Sequence, residues 1–355
     1  MKTPEQLKAI AGHFDLKGNI LEIKPLGNGL INDTLLVKTD GEDNYVLQRI
    51  NNAIFQDVEL LQHNIDCATA HIRRKGGKTL TFLPCKDTGK TYWTDGQEYW
   101  RVSIFIKNAY TYETVNPKYS EYAGEAFGAF EAMLADIPDT LGETIPDFHN
   151  MELRARQLHE AVAADKAGRM AEPEVQAILK DLLPFEEEMC KAERMYREGI
   201  LPKRICHCDT KVNNMMFDDK GNILCVIDLD TLMPSFVFSD FGDFLRTAAN
   251  TVAEDDPAVE KVDFKMDIFE AFARGYIKGA KSFLTPVEIE NLPYAACLFP
   301  YMQAVRFFAD YINGDTYYKI KYPEHNLVRT RNQVALFHAA MAKVPAMKAF
   351  IASLV

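Results

Sequence analysis

The chain has 355 residues, 47% of them hydrophobic and 26% charged, with a formal net charge of −11. That length points to two domains or one large lobed one, and the acidic balance excludes general nucleic-acid binding, which needs clustered Lys and Arg. No stretch approaches the roughly 18 uninterrupted apolar residues of a membrane span, and the seven scattered cysteines read as reduced thiols of a cytoplasmic protein.

The N-terminus lacks the apolar run of a signal peptide. Thr3-Pro4-Glu5-Gln6 instead reads as a capping box that opens an amphipathic helix. Strands then follow: Ile20 to Pro25, a break at Gly27-Asn28-Gly29, Thr34 to Thr39, a turn at Asp40-Gly41, and Tyr45 to Ile50. Leu60, Leu61, Ile65, Ala68 and Ile72 repeat at helical spacing from about Asp57 to Lys75. Extended segments return at Thr79 to Leu83, near Thr91 to Trp93 and, after a second Asp-Gly turn at Asp95-Gly96, at Tyr99 to Ile106. Beyond Lys107 helical periods dominate: Glu121 to Leu134, Glu152 to Lys166, Glu174 to Glu198, Lys265 to Lys281 and Pro286 to Tyr311. The expected architecture is α+β and two-lobed, protein-kinase-like: a sheet lobe with one helix over residues 1–106 and a mainly helical lobe over 107–355, with a cleft between them.

One island of strand-like sequence, Lys203 to Thr231, interrupts the helices and carries the chemistry. Two short apolar strands flank a hairpin turn at Asp218 to Asn222, and carboxylates stand where the strands stop. Phosphoryl transfer asks for such groups. Its transition state is loose, so the protein positions the reactants and neutralises charge. One carboxylate accepts the hydroxyl proton, while a carbonyl and a second carboxylate hold Mg²⁺, a hard cation that prefers oxygen. His207, Asp209 and Asn214 match the H-x-D-x-x-x-x-N spacing of a kinase catalytic loop, Lys211 falls two after the Asp, and Asp228 follows the apolar strand. Asp209 and Lys211 are thus the catalytic candidates, with Asn214 and Asp228 the metal ligands. Asp230 reads either as a further carboxylate near the metal or as a cap for the turn that follows. Cys206-His207-Cys208, with Cys225, lacks the paired CxxC spacing of zinc sites and reads as small buried thiols.

For the nucleotide, ATP, the candidates are the hairpin glycines Gly27 and Gly29 with Asn28, whose backbone N–H groups can approach phosphates closely. Gln48 stands where kinases usually place the lysine that pairs with the phosphates, and Arg49 beside it belongs to the opposite sheet face. Phe105 and Ile106 fall at the connection between lobes, where backbone groups usually meet adenine.

These residues resemble the aminoglycoside phosphotransferase and choline kinase superfamily, and within it the bacterial N-acetylhexosamine 1-kinases. The segments that carry the likeness are GNGLINDTLLV, YVLQRIN, WRVSIFI, HCDTKVNNMMF with VIDLDTLMP, FSDFGDFLR, VRFFADYINGD and KYPEHNLVRTR. The resemblance implies ATP-driven phosphorylation of the anomeric hydroxyl of a small sugar, GlcNAc or GalNAc, with Asp209 as base beside that sugar. It also implies sugar contacts from Arg306, Asp310 and Arg246, although an Arg306–Asp310 ion pair along one helix face and a solvated Arg246 are the plainer alternatives. His325, Asn326 and Arg329 either border the sugar or lock the C-terminal segment. Methylthioribose, choline or aminoglycoside kinases are the alternatives within the superfamily. A catalytically dead nucleotide-binding fold is the alternative outside it. Neither a membrane nor an obligatory protein partner is expected.

Overall fold

The capping box forms as the sequence dictates. Thr3 Oγ1 accepts the Gln6 N–H while Gln6 Oε1 accepts the Thr3 N–H, opening helix α1, Pro4–Ala11. The computed structural model describes residues 2–27, 31–111 and 115–355. It divides into two compact units, the first made of Met1–Thr111, Asp136–Pro146 and Met215–Met233, the second of Tyr112–Ala135, Asp147–Asn214 and Pro234–Val355.

In the first unit, strands β1 (Ile20–Pro25), β2 (Asp33–Thr39), β3 (Tyr45–Ile50), β4 (Trp93–Thr94) and β5 (Tyr99–Ile104) form an antiparallel sheet in the order β1-β2-β3-β5-β4, with helix α2 (Val58–Arg74) inserted after β3. Alternation sorts the side chains by face. Val37, Tyr45, Leu47, Trp100 and Val102 pack with Ile10, Ala11 and Phe14 of the N-terminal segment into one core. In the register, Gln48 lies opposite Thr34 on one side and Arg101 on the other, and these three polar residues share the second face. The expected strand at Thr79 to Leu83 is reduced to a short pairing with β5, through Leu83 N–H to Val102 O and Ile104 N–H to Thr81 O. Asn64 of α2 donates to the carbonyls of Gly142 (2.7 Å) and Leu232 (2.9 Å), which ties the two returning segments to this unit.

The second unit holds α3 (Pro117–Leu134), α4 (Met151–Ala164), α5 (Pro173–Leu182), α6 (Glu186–Met189), α7 (Lys191–Arg197), strand β6 (Arg204–Cys206), α8 (Val237–Ala248), α9 (Met266–Ala280), α10 (Pro286–Glu290), α11 (Leu292–Ile312) and α12 (His325–Ala352). The single helix expected over Glu174 to Glu198 is broken at Leu183–Phe185, because Pro184 lacks an N–H and disfavours helical geometry before it. The helix expected over Pro286 to Tyr311 likewise divides at Asn291, ahead of Pro293. Two helices went unread in the sequence. In α8 the polar stripe of Asp240 and Asp243 is buried rather than turned to solvent. In α12 the inward positions include Asn326, Thr330, Asn332 and Gln333, so the apolar period is broken; Asn332, for example, bonds Asn250 at 2.9 Å. By length and composition α12 reaches a mean hydropathy of 1.4 in an 18-residue window, enough for a membrane span, although Arg329, Arg331, Lys343 and Lys348 interrupt its apolar run. Of that window 28% is buried, and the helix packs along α11.

Helices α3 and α9 meet backbone to backbone. A Cβ on Gly275 would lie 2.0 Å from the Glu121 carbonyl oxygen, and one on Gly124 would lie 2.2 Å from that of Phe272. Only glycine fits at such an approach.

Candidate active site

Strand β6 delivers the chain to His207, and a buried carboxylate then shapes the loop. Asp240 of α8 accepts the N–H groups of His207 (2.8 Å) and Cys208 (2.7 Å), and its own carbonyl accepts the Thr210 hydroxyl (2.8 Å). One turn on, Asp243 accepts the Thr210 N–H at 3.2 Å. These charge-assisted bonds hold Cys208 in the left-handed region, φ 63°, a conformation that costs about 1–2 kcal/mol for a residue with a Cβ. His207 is fully buried against the edges of Phe127 and Phe130. Its Nδ1 accepts the Asp209 N–H at 3.3 Å, so that nitrogen carries no proton.

Asp209 emerges from this frame partly exposed. Lys211 Nζ lies 2.7 Å from its carboxylate. Asn214, in the 3-10 turn Val212–Asn214, donates its amide N–H to the Asp209 carbonyl at 2.8 Å. With the nitrogen committed, the Asn214 side-chain oxygen has no protein donor among the described residues, which suits it to a hard cation.

A cavity of about 130 Å³ opens beside Asp209, lined also by Lys211, Asp243, Arg246, His149, Phe299 and Arg306. Arg246 is no solvated surface charge. Its side chain is 14% exposed and pairs with Asp243 at 3.4 Å and with Glu254. Arg306 makes no ion pair with Asp310 either. It donates to Gln303 (3.3 Å) and lies between the rings of Phe148 and Tyr318, 5.9 and 5.7 Å from their centroids. Asp310 does not line this cavity. Its oxygens accept the N–H groups of Thr316, Tyr317 and Tyr318 and the Asn326 amide, at 2.9 to 3.0 Å. Asn326, with His325 against Asp255 and Arg329 on the Lys319 carbonyl, fastens the segment before α12. His149 stacks on Phe148 at 4.3 Å, and its Nδ1 is buried without a hydrogen-bond partner. Burial, then the positive charge of Arg306, holds its pKa well below the usual histidine range, so the ring is neutral.

In the first unit the remaining candidates fall on the sheet and the returning hairpin, β7 (Met215–Phe217) and β8 (Ile223–Val226). Gln48 is committed at both ends of its amide, donating to Thr34 Oγ1 (3.1 Å) and accepting from Arg101 Nε (3.0 Å). Arg49, on the other face, pairs with its neighbour Asp33 at 2.7 Å. The cation beside Gln48 is therefore Arg101, which the sequence reading overlooked. Only its position opposite Gln48, a charged residue inside an otherwise apolar strand, signals it. Arg101 Nη2 lies 2.6 Å from Asp230, with the two side chains 3% and 5% exposed. The other Asp230 oxygen accepts Asn32 Nδ2 at 2.5 Å. Asp230 is thus neutralised within the fold. Asp228, two residues earlier, is exposed and left-handed at φ 59°. Of the two, Asp228 fits the oxygen donor set of Mg²⁺. Gly27 closes β1 with φ 72°, and the Ile106 main chain makes no hydrogen bond among the described residues. Asn28 and Gly29 lie outside the described residues.

Behind the loop, oxygens of Glu131 and Asp240 and the sulfur of Cys206 lie within 4.8 Å of one another. Burial, then the Asp240 charge, pushes Glu131 well above its ordinary value, and burial does the same to the Cys206 thiol, so both keep their protons. Tyr276 of α9 donates its hydroxyl to Glu131 at 2.7 Å. Glu131 thus stands beside Asp240 as a protonated acid held by Tyr276, a brace behind the loop. Above the ordinary value of 4.5 the unfolded chain releases the Glu131 proton and the native one retains it, so this group lowers stability as pH rises. Glu131→Gln keeps the shape without the proton. Its melting temperature relative to wild type is expected to climb between about pH 5 and pH 8; parallel melting curves across that window would refute the protonated brace.

Residues 22–279 match the model of a family described as the phosphotransferase enzyme family. Among solved structures, an aminoglycoside phosphotransferase from Alicyclobacillus acidocaldarius is similar at 14% identity and TM-score 0.65, covering 100% of this chain and 98% of its own. A microcompartment-associated aminopropanol kinase aligns at 16% identity and TM-score 0.59 over 97% and 98% of the two chains. A choline kinase from Streptococcus pneumoniae aligns at 14% and 0.51 over 92% and 94%.

Proposed function

The chain belongs to the phosphotransferase enzyme family, and we propose that it transfers the terminal phosphoryl group of ATP to the anomeric hydroxyl of an N-acetylhexosamine. Asp209 accepts the proton of the attacking hydroxyl, and Lys211 brings positive charge beside it. Asn214 and Asp228 would hold Mg²⁺, which supplies charge neutralisation on the phosphate oxygens. The backbone around Gly27 and Ile106 would take the nucleotide, with Arg101 as the buried cation on the Gln48 face.

The observation that carries the acceptor class is the lining of the Asp209 cavity. Arg246, Arg306 and Lys211 outnumber the carboxylates Asp209 and Asp243, and Phe148 and Phe299 offer ring faces. A neutral, oxygen-rich ring finds donors and stacking surface there. A quaternary ammonium or an aminoglycoside meets three like charges there, against two carboxylates already paired with Lys211 and Arg246. With Mg-ATP, GlcNAc or GalNAc should drive ADP release and lose its reducing end, whereas choline, methylthioribose and aminoglycosides should not stimulate turnover. Transfer to another hydroxyl, or faster turnover with a cationic acceptor, would reject the assignment.

A further inference from the structure

Arg306 also lines a second cavity, of about 340 Å³, whose other walls include Arg154 of α4, Lys166, Asn313 and Tyr318. That volume falls within the roughly 300–1,000 Å³ typical of small-ligand sites. Elsewhere in this unit most part-buried arginines meet carboxylates: Arg204 pairs with Glu288, Arg169 with Asp315, Arg246 with Asp243 and Arg331 with Glu174, while Arg329 bonds only the Lys319 carbonyl and Asn326 among the described residues. Arg154 and Arg306 meet none among the described residues. Arg154 donates to Gln157 and to the carbonyls of Asp147 and Phe148, and its Nε is buried with no partner. Of the two carboxylates at the cavity, Asp310 is spent on four N–H groups and Glu160 is exposed. Two part-buried guanidinium groups therefore face one space with no carboxylate in direct contact with either. Burial and then the Arg306 charge push Arg154 down to about 10, as expected of like charges crowded together.

We propose that this cavity is an anion site that takes a phosphate group between Arg154 and Arg306, with Lys166 contributing from the exposed side. The planar guanidinium fork matches phosphate oxygens, and bonds to ionised acceptors are the stronger kind. The site is separate from the transfer chemistry, but Arg306 belongs to both cavities, so an occupant here holds a side chain that also lines the Asp209 cavity. The phosphate can come from inorganic phosphate or from a phosphorylated sugar.

Calorimetric titration of the full chain with inorganic phosphate, at an ionic strength fixed by chloride, tests the site without nucleotide or turnover. Saturable binding is expected, weakened about tenfold or more in Arg154→Gln and less in Arg154→Lys, which keeps the charge but loses the fork. Lys166→Gln, at an exposed position, should weaken it about two- to fivefold and guards against misfolding of the Arg154 variants. Titration with a sugar 1-phosphate assigns the source: tighter binding than inorganic phosphate, equally sensitive to Arg154, points to a phosphorylated sugar, and weaker binding to free phosphate. Absence of saturable binding for both probes, or equal binding by wild type and all three variants, overturns the proposal.

Discussion

Asp209→Asn is expected to lower kcat by roughly 10²–10⁴-fold, the range for losing a positioned general base. The substitution preserves shape, because the loop is held by main-chain bonds to Asp240 and by the Asn214 bond to the Asp209 carbonyl, and the long bond from Asn214 to the carboxylate, at 3.4 Å, can be accepted by an amide oxygen. The lost pairing with Lys211 is half-exposed on the lysine side and contributes little to stability. The folded fraction and nucleotide affinity should therefore match wild type while turnover collapses. Equilibrium ATP binding measured beside initial rates separates these quantities. Turnover within a few-fold of wild type would remove Asp209 from the role of base.

The second large effect concerns stability. Arg101→Met should destabilise the protein by about 3–5 kcal/mol, because it strands the Asp230 carboxylate in a buried setting with only Asn32 to bond it. Replacing both partners, Arg101→Met with Asp230→Leu, should cost markedly less, since a buried ion pair exchanged whole for apolar side chains is often close to neutral. Urea unfolding of the three proteins gives the comparison directly. If the single variant unfolds within about 1 kcal/mol of wild type, the pair is not the buried, mutually dependent one described. Weaker ATP binding in a folded Arg101 variant would further identify Arg101 as the cation that the Gln48 position lacks.

What the sequence disclosed and what it concealed divide along sequence separation. The sheet, its turns and the spacing of His207, Asp209 and Asn214 are local, and local patterns of alternation and punctuation make them legible. The groups that position Asp209 are distant along the chain. Asp240 lies 33 residues from His207, and Arg101 lies 53 from Gln48. No periodicity announces such pairs. Helix α8 escaped notice although its FSDFGDFLR segment stood out, because a buried polar stripe has no signature separate from an exposed one. Arg306 and Asp310, four apart on α11, read equally well as an ion pair or as two ligands of a sugar. The fold separates them, giving Asp310 to the 316–318 turn and leaving Arg306 between two aromatic rings.

The glycine contacts between α3 and α9 bear on the chemistry at a distance. Glu131 rides on α3 and Tyr276 on α9, and together they brace Asp240, which fixes the backbone before Asp209. Where two helices touch through their main chains, no side chain can give way, and a single added methyl must pry the whole pair apart. The seat of the loop that carries Asp209 is thus set in part by residues that have no side chain at all.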